Sequence, residues 1–329
     1  MINMERLMFR WVKAVTAFLF VLAFILGFFS CQQEAVTGPE QEQVEEPAAE
    51  EVEPSAQPAV SEREIEDVDP PSAEQAVLIF ASGDVYVREG DEWEQVQIGA
   101  TFVAEDRVKV EDGYAEIQFG NLGTAAVQAN TSIRIADVAF GGRRNRAEIE
   151  VVSGKMLNKV KKLASDDSYK VRTKVAVGAV RGTQFAVTVD ENESTRLAVR
   201  EGSVAVLPSQ LEPEKILADV DEEALDAARE ALAVMDAEAP VIGENEEVVL
   251  EEKPEAEVLS LATELQEKTS GVARDSRTVE ELRKSAEAAS ASLETRIRDK
   301  TRSVAPESRI DLEQIDAIRT VTLRAPTAE

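Results

Sequence analysis

The chain has no histidine and a single cysteine among its 329 residues. Without imidazole there is no Ser-His or Cys-His nucleophile pair, and the commonest general base and metal ligand are missing. One thiol allows neither an intrachain disulfide nor a cysteine zinc site. Basic charge is also scarce: 36 Lys and Arg stand against 64 Asp and Glu, giving a net charge of -28 that repels nucleic-acid phosphates. Aromatics make up 5% of the chain, and Trp93, Tyr86 and Tyr114 are the candidates for stacking on a sugar, which argues against a glycan binder. "GGRRNR" lacks the lysine and spacing of a phosphate-binding loop, and no stretch alternates Asp and Asn around a glycine as a calcium loop does. No catalytic residue, cofactor or metal is expected, and the chain reads as a non-enzyme.

The beginning of the chain reads as an address. Arg6, Arg10 and Lys13 precede "AVTAFLFVLAFILGFFS", an uncharged run ending immediately before Cys31. A basic region, an apolar region and a small residue before the cut describe a secretory signal over residues 1–30. The cysteine at the boundary resembles the lipobox of bacterial lipoproteins, in the relaxed form seen in spirochaetes, with Phe28 in place of the usual leucine. The resemblance implies lipidation of Cys31, attachment to a membrane of the cell envelope and a chain facing the periplasm. The alternative is an uncleaved anchor, for which the run is short.

Three compositional regions follow. Residues 32–75 hold 14 acidic residues, one basic residue and six prolines, so residues 31–75 are expected to form a disordered, lipidated linker. Residues 76–210 carry 19 acidic and 17 basic residues and alternate apolar with polar positions, as in Ala115, Ile117, Phe119 or Phe185, Val187, Val189. Glycine-rich turns separate the runs, and short strands at this spacing indicate a sandwich, barrel or solenoid. Residues 211–329 hold 30 acidic and 15 basic residues and read as helical. Leu225, Ala228, Leu232 and Met235 share one face, as do Val258, Leu261 and Leu265. Thr278 and Glu281 form a capping-box pattern, and "RTVTLRAP" reads as a last strand. The helices either pack on the core and each other or bind a partner.

The order of features in 76–210 resembles the FecR domain, a β-rich extracytoplasmic domain of bacterial envelope proteins. The resemblance rests on Gly83 to Val87, Trp93 and Gly99, then Glu105 to Phe119, then Gly123, Thr124, Val127, Asn130, Thr131, Ile133 and Ile135. Its most specific part is "GAVRGTQFAV", containing Gly178, Arg181, Gly182, Thr183 and Phe185, followed by Val199, Gly202, Val204 and Val206. It implies a mainly β core, a FecR-like β-sandwich or solenoid-type domain, between the disordered acidic linker and the C-terminal α-helical region. It also implies that the motif serves the fold: glycine for a backbone angle closed to other residues, arginine and threonine for bonds within a corner. Arg181 reaching a partner's carboxylate is the functional alternative. FecR itself is a transmembrane regulator acting on a sigma factor. Only about thirteen residues precede the apolar run here, so no cytoplasmic regulatory domain is expected.

The remaining cluster is basic. Arg143, Arg144 and Arg146 with Lys155, Lys159, Lys161 and Lys162 form a candidate patch for an anionic partner: peptidoglycan acids, lipid headgroups or the chain's own acidic tail. A solvated charged face is the plain reading. Two functions remain in view, a lipid-anchored interaction module or scaffold binding envelope proteins, and an envelope sensor or regulator working through a separate transmembrane partner.

Overall fold

A computed structural model describes residues 75–218, 220, 222–270 and 276–321. The signal, Cys31 and the expected linker up to residue 74 lie outside the described residues. Among those described, no helix is long and apolar enough to cross a membrane.

The β-rich expectation holds: among the described residues seventeen strands are linked by pairing. They are β1 (Ala76–Ser82), β2 (Val85–Glu89), β3 (Glu92–Val96), β4 (Thr101–Phe102), β5 (Arg107–Val110), β6 (Tyr114–Phe119), β7 (Gly123–Gln128), β8 (Thr131–Ala139), β9 (Arg146–Val160), β10 (Ser168–Arg172), β11 (Ala176–Val180), β12 (Gln184–Val189), β13 (Thr195–Glu201), β14 (Val204–Pro208), β15 (Val241–Ile242), β16 (Glu246–Leu250) and β17 (Arg302–Ser303). The pairings resolve into two sheets. The first runs β4-β1-β6-β7-β9-β12-β13-β16-β17. The second runs β3-β2-β5-β8-β9-β10-β11-β14-β15. Among the described residues only β9–β10 is parallel. One apolar core, from Ala76 and Leu78 through Phe185 to Val248 and Leu250, joins residues of both sheets.

Strand β9 belongs to both sheets, and its sequence shows how. Ala147, Ile149 and Val151 are buried in the second sheet, whereas Met156, Asn158 and Val160 are buried in the first. The inward positions change from odd to even. An extra residue makes the change: Ser132 pairs with Ser153 and Ile133 with Val151, leaving Val152 unpaired and 53% exposed. Gly154 follows with φ +89°, a conformation that side chains with a Cβ rarely adopt. Asn158, fully buried, accepts a bond from the Tyr169 hydroxyl at 3.0 Å, and Tyr169 meets Phe119 edge to face.

Beyond Leu211 the described residues are only partly helical. Helices α1 (Pro213–Ile216), α2 (Glu222–Ala237), α3 (Ala256–Ser270) and α4 (Ser276–Lys300) share an apolar cluster in which Ala228, Leu232 and Met235 meet Val258, Leu265, Ala286, Ala289 and Leu293. Alanines on both α2 and α4 keep the helices close. The predicted capping box does not form, because Thr278 lies inside α4 rather than at its start. Strands β15 to β17, which no alternation of useful length announces, extend both sheets. After β17 come α5 (Pro306–Gln314) and a 3-10 turn, Ile315–Ala317. The expected last strand is absent as far as Val321; the rest of it lies outside the described residues.

The helical layer is fastened to β10 by hydrogen bonds from Arg172 to Glu212. Arg172 donates to Glu212 Oε2 at 2.7 Å and to its other oxygen, while its Nε lies 2.6 Å from Glu148. Burial pushes the Glu212 carboxyl up to about 7, with Arg172 opposing and Glu214 and Glu148 reinforcing.

In Gly154→Ala the new Cβ would sit 2.4 Å from Thr131 Oγ1 and 2.7 Å from Asn130 O at positive φ, so the expected loss is at least ~2 kcal/mol in denaturant unfolding. For Glu212, folding raises the pKa from 4.5 to about 7, so the folded state holds an extra proton between these values. This contribution is complete below about pH 4.5 and is lost as pH rises through about 7. Glu212→Gln should flatten the decline in stability between pH 5 and pH 8 by roughly 2–3 kcal/mol, read from denaturant midpoints at the two pH values. An equal slope in both proteins would count against this assignment.

Candidate binding groove

Adjacent strands of the first sheet bring one row of residues together on its outer face. The register runs Phe80, Glu116, Ala126, Leu157, Ala186, Ala198, Glu247, Arg302 across eight strands. Three alanines at the centre make a shallow trough. Glu116 and Glu247 close its two ends, 1% and 0% exposed. At ~4.8 Å per strand these carboxylates are roughly 24 Å apart. Alternation places Lys155 and Arg196 along one bank, at cross-strand positions with Thr188 between them. Lys159 and Arg200 lie on the other bank, two residues from Leu157 and Ala198 on their strands.

The chain's own C-terminal segment, residues 302–321, lies in this trough as a strap. Val304, Leu312, Ile315 and Ile318 bury themselves on Ala126, Leu157, Ala186 and Ala198. At one end Arg302 donates to Glu247 at 2.9 Å. At the other, Glu116 takes two bonds from Arg319, from the amide at 3.0 Å and the guanidinium at 2.9 Å. That guanidinium also stacks 3.7 Å from the Phe80 ring centroid. Burial raises the Glu116 pKa, and the bonds and charge of Arg319 oppose the rise.

Much of the strap is read through its backbone. Gln118 donates to Val321 O at 2.7 Å and accepts from Val321 N–H at 3.0 Å. Lys159 reaches Ile318 O at 3.2 Å and Asp316 O at 3.4 Å, and Arg200 reaches Leu312 O at 2.9 Å. Side-chain pairs line the banks: Lys155 with Asp311 at 2.7 Å, Arg196 with Glu307 at 3.1 Å, and Arg200 with Asp316.

The predicted basic patch is divided by this arrangement. Lys155 and Lys159 point into the trough. Arg146 pairs with Asp137 on the second sheet, and Arg143, Arg144, Lys161 and Lys162 are exposed on loops away from the row. Several tail acids do meet basic residues of the β region, including Glu212 with Arg172 and Glu252 with Lys174 at 2.9 Å. Sequence reasoning missed Glu116, Gln118, Arg196, Arg200, Glu247 and Arg319. Alternation marks the first four as outward-facing, but outward polar residues normally face water, and nothing local indicates a cover.

The "RGT" motif sits where the chain leaves β11 in the second sheet for β12 in the first. Gly178 lies within β11, and Phe185 is fully buried in the core. Gly182 has φ +80°, and a Cβ there would lie 2.9 Å from Lys162 Cα. Thr183 donates to Ser203 O at 2.8 Å, tying this corner to the return from β13 to β14. Arg181 donates to Ser165 O at 2.9 Å from an exposed position.

In Arg319→Ala the Glu116 carboxylate loses the cation bonded to it and keeps only the more distant charge of Lys159. The strap end should detach and let water in rather than leave that charge buried. We expect amide exchange at Ile315 to Val321 to accelerate at least ~10-fold, a cost of about 1–3 kcal/mol confined to the strap, while exchange in β6 to β13 stays slow. Uniform acceleration across the core would contradict this.

Comparison with curated proteins gives no match. Two crystal structures of a candidate anti-sigma factor from Parabacteroides distasonis ATCC 8503, at 1.65 and 2.50 Å resolution, each align at 18% identity with a TM-score of 0.31. Each alignment spans 45% of this chain and 55% of that protein, little more than half its length. The model of the FecR protein family matches residues 106–205, from the residue before β5 into β14, so the chain carries a FecR domain there.

Proposed function

We propose that this chain is a non-enzymatic, lipid-anchored FecR-domain protein of the bacterial envelope that binds a protein partner through the outer face of its first sheet. The observation carrying this reading is the trough itself. Gln118, Lys159 and Arg200 bond main-chain atoms of a segment laid across the strands, the chemistry by which a surface holds a peptide. The leader and Cys31 support envelope attachment, and the FecR domain at 106–205 agrees with that location. The net charge of -28 speaks against nucleic acid as the partner.

One observation favours the second reading, a sensor or regulator acting through a separate transmembrane protein. The trough is already occupied by the strap, so binding there is conditional on an exchange, and conditional binding suits a signal better than a permanent scaffold.

In living cells, a photo-crosslinking residue replacing Ile310, which is 62% exposed beside the trough, should give a discrete protein adduct. The same residue at Arg143, away from the trough, should not. Adducts at both positions or neither, or adducts only with glycan or lipid, would overturn the reading.

A further inference from the structure

The strap holds the trough without filling it. A cleft of about 460 Å³ remains between α5 and the sheet, lined by Lys155, Thr188, Asp190, Arg196, Val249 and Ile310 among others. This is within the range of volumes that hold ligands. Ala305, which precedes helix α5 at its cap position, offers no side-chain bond to the first turn, and Ile310 is left 62% exposed. Glu247 Oε2 is buried with no hydrogen-bond partner.

Emptying the trough would strand none of its polar side chains. Its charged and amide side chains, Glu116, Gln118, Glu247 and the four basic residues of the banks, would become solvated rather than stranded, because they lie on the outer face of a sheet. A permanently covered face gains more from apolar residues, which carry no desolvation cost.

Resting on the binding reading above, we propose that the strap is a built-in competitor for the trough, and that the true occupant is a partner segment with apolar residues three apart followed directly by an arginine in extended backbone. The strap supplies this pattern in weak form as Leu312, Ile315, Ile318 and Arg319, with Val321 read by Gln118. The sheet sets the requirements. The alanine row accepts apolar side chains, Glu116 beside Phe80 demands a planar cation, and Gln118 demands a free peptide group two residues later. Backbone bonds make no demand on sequence, so a foreign segment can use them. The occupant gains over the strap by filling the cleft beside Lys155 and Arg196. A second copy of this chain brings only the same strap, which the tethered one outcompetes through its high effective concentration.

The test is a fluorescein-labelled peptide of residues 304–321 titrated into the full chain. The wild-type chain should bind it weakly, since its trough is open in only a small fraction of molecules. Chains carrying Arg319→Ala or, separately, Ile318→Asp should bind at least ~10-fold tighter, because the competitor is weakened in cis. Adding Glu116→Gln should abolish the advantage of the wild-type peptide over one bearing Arg319→Ala. Far-UV circular dichroism melts confirm that each variant is folded, and the two strap variants guard against one failing for another reason. Equal binding by wild-type and both strap-weakened chains would overturn the inference, as would indifference to the arginine of the peptide. Dimers of the strap-weakened chains in light scattering would overturn the partner as occupant in favour of a second copy. If the peptide never binds while crosslinking at residue 310 still captures a protein, this inference falls and the binding reading stands. If the peptide binds and crosslinking captures nothing, the binding reading falls and only the ligand chemistry of the trough survives.

Discussion

The phase slip in β9 is the constraint on which the rest depends. A strand serving two sheets of one sandwich must turn a different set of side chains inward in each. The extra residue Val152 and the positive φ of Gly154 accomplish this within a single strand. The slip buries Met156, Asn158 and Val160, and therefore turns Lys155, Leu157 and Lys159 outward. Those three residues form the middle of the trough and part of each bank. With the odd-numbered inward phase of Ala147, Ile149 and Val151 continued, Met156 and Asn158 would face out and Tyr169 would lose its partner inside.

Outside the sandwich the energetics differ. The core between the sheets is apolar and joins both halves of the β region, whereas the outer face of the first sheet mixes three alanines and a leucine with buried glutamates, a glutamine and a basic residue at each corner. A face of this composition is neither freely solvated nor a purely apolar core. It resembles the exchangeable interfaces of proteins, with an apolar centre and a polar rim. The helical layer makes a useful contrast. It shares the apolar cluster of α1 to α4, with Ile297 of α4 reaching the main core, so it is built into the fold and the strap is laid upon it.

Period-two alternation made the strands of the β region legible from sequence, and the ordered glycine and arginine signals led to the FecR domain. The apolar faces of α2 and α3 were readable from the spacing of Leu225, Ala228, Leu232 and Met235 and of Val258, Leu261 and Leu265. What escaped has physical reasons. Strands β15 and β17 have two residues each and derive their conformation from the edges they extend. Thr278 and Glu281 have the spacing of a cap, but α4 begins earlier, so the pattern falls within a helix already under way. The two ends of the trough were invisible because Glu116 and Arg319 are 203 residues apart. No local pattern distinguishes an outward glutamate that meets water from one that meets an arginine. Of the seven residues in the basic patch, clustering in sequence brought only Lys155 and Lys159 to a common site.

The bonds of the trough divide into those that can select and those that can only attract. Lys155 with Asp311, Arg196 with Glu307 and Arg200 with Asp316 lie along the banks, and their partners Glu307 and Asp316 keep side-chain exposures of 67% and 65%. Such pairs are screened by salt and contribute little to affinity, though they draw an acidic segment toward a basic bank. At the far end Glu116 is 1% exposed and Gln118 is 2%, so a wrong residue there leaves a buried charge or amide unpaired. Penalties of that kind are what distinguish one ligand from another. The acidic composition of the tail thus explains why a segment is drawn to this sheet at all. The single arginine at its end explains why it stays in register. A competing segment can match the first property with almost any acidic sequence, but it must match the second with a cation at one position.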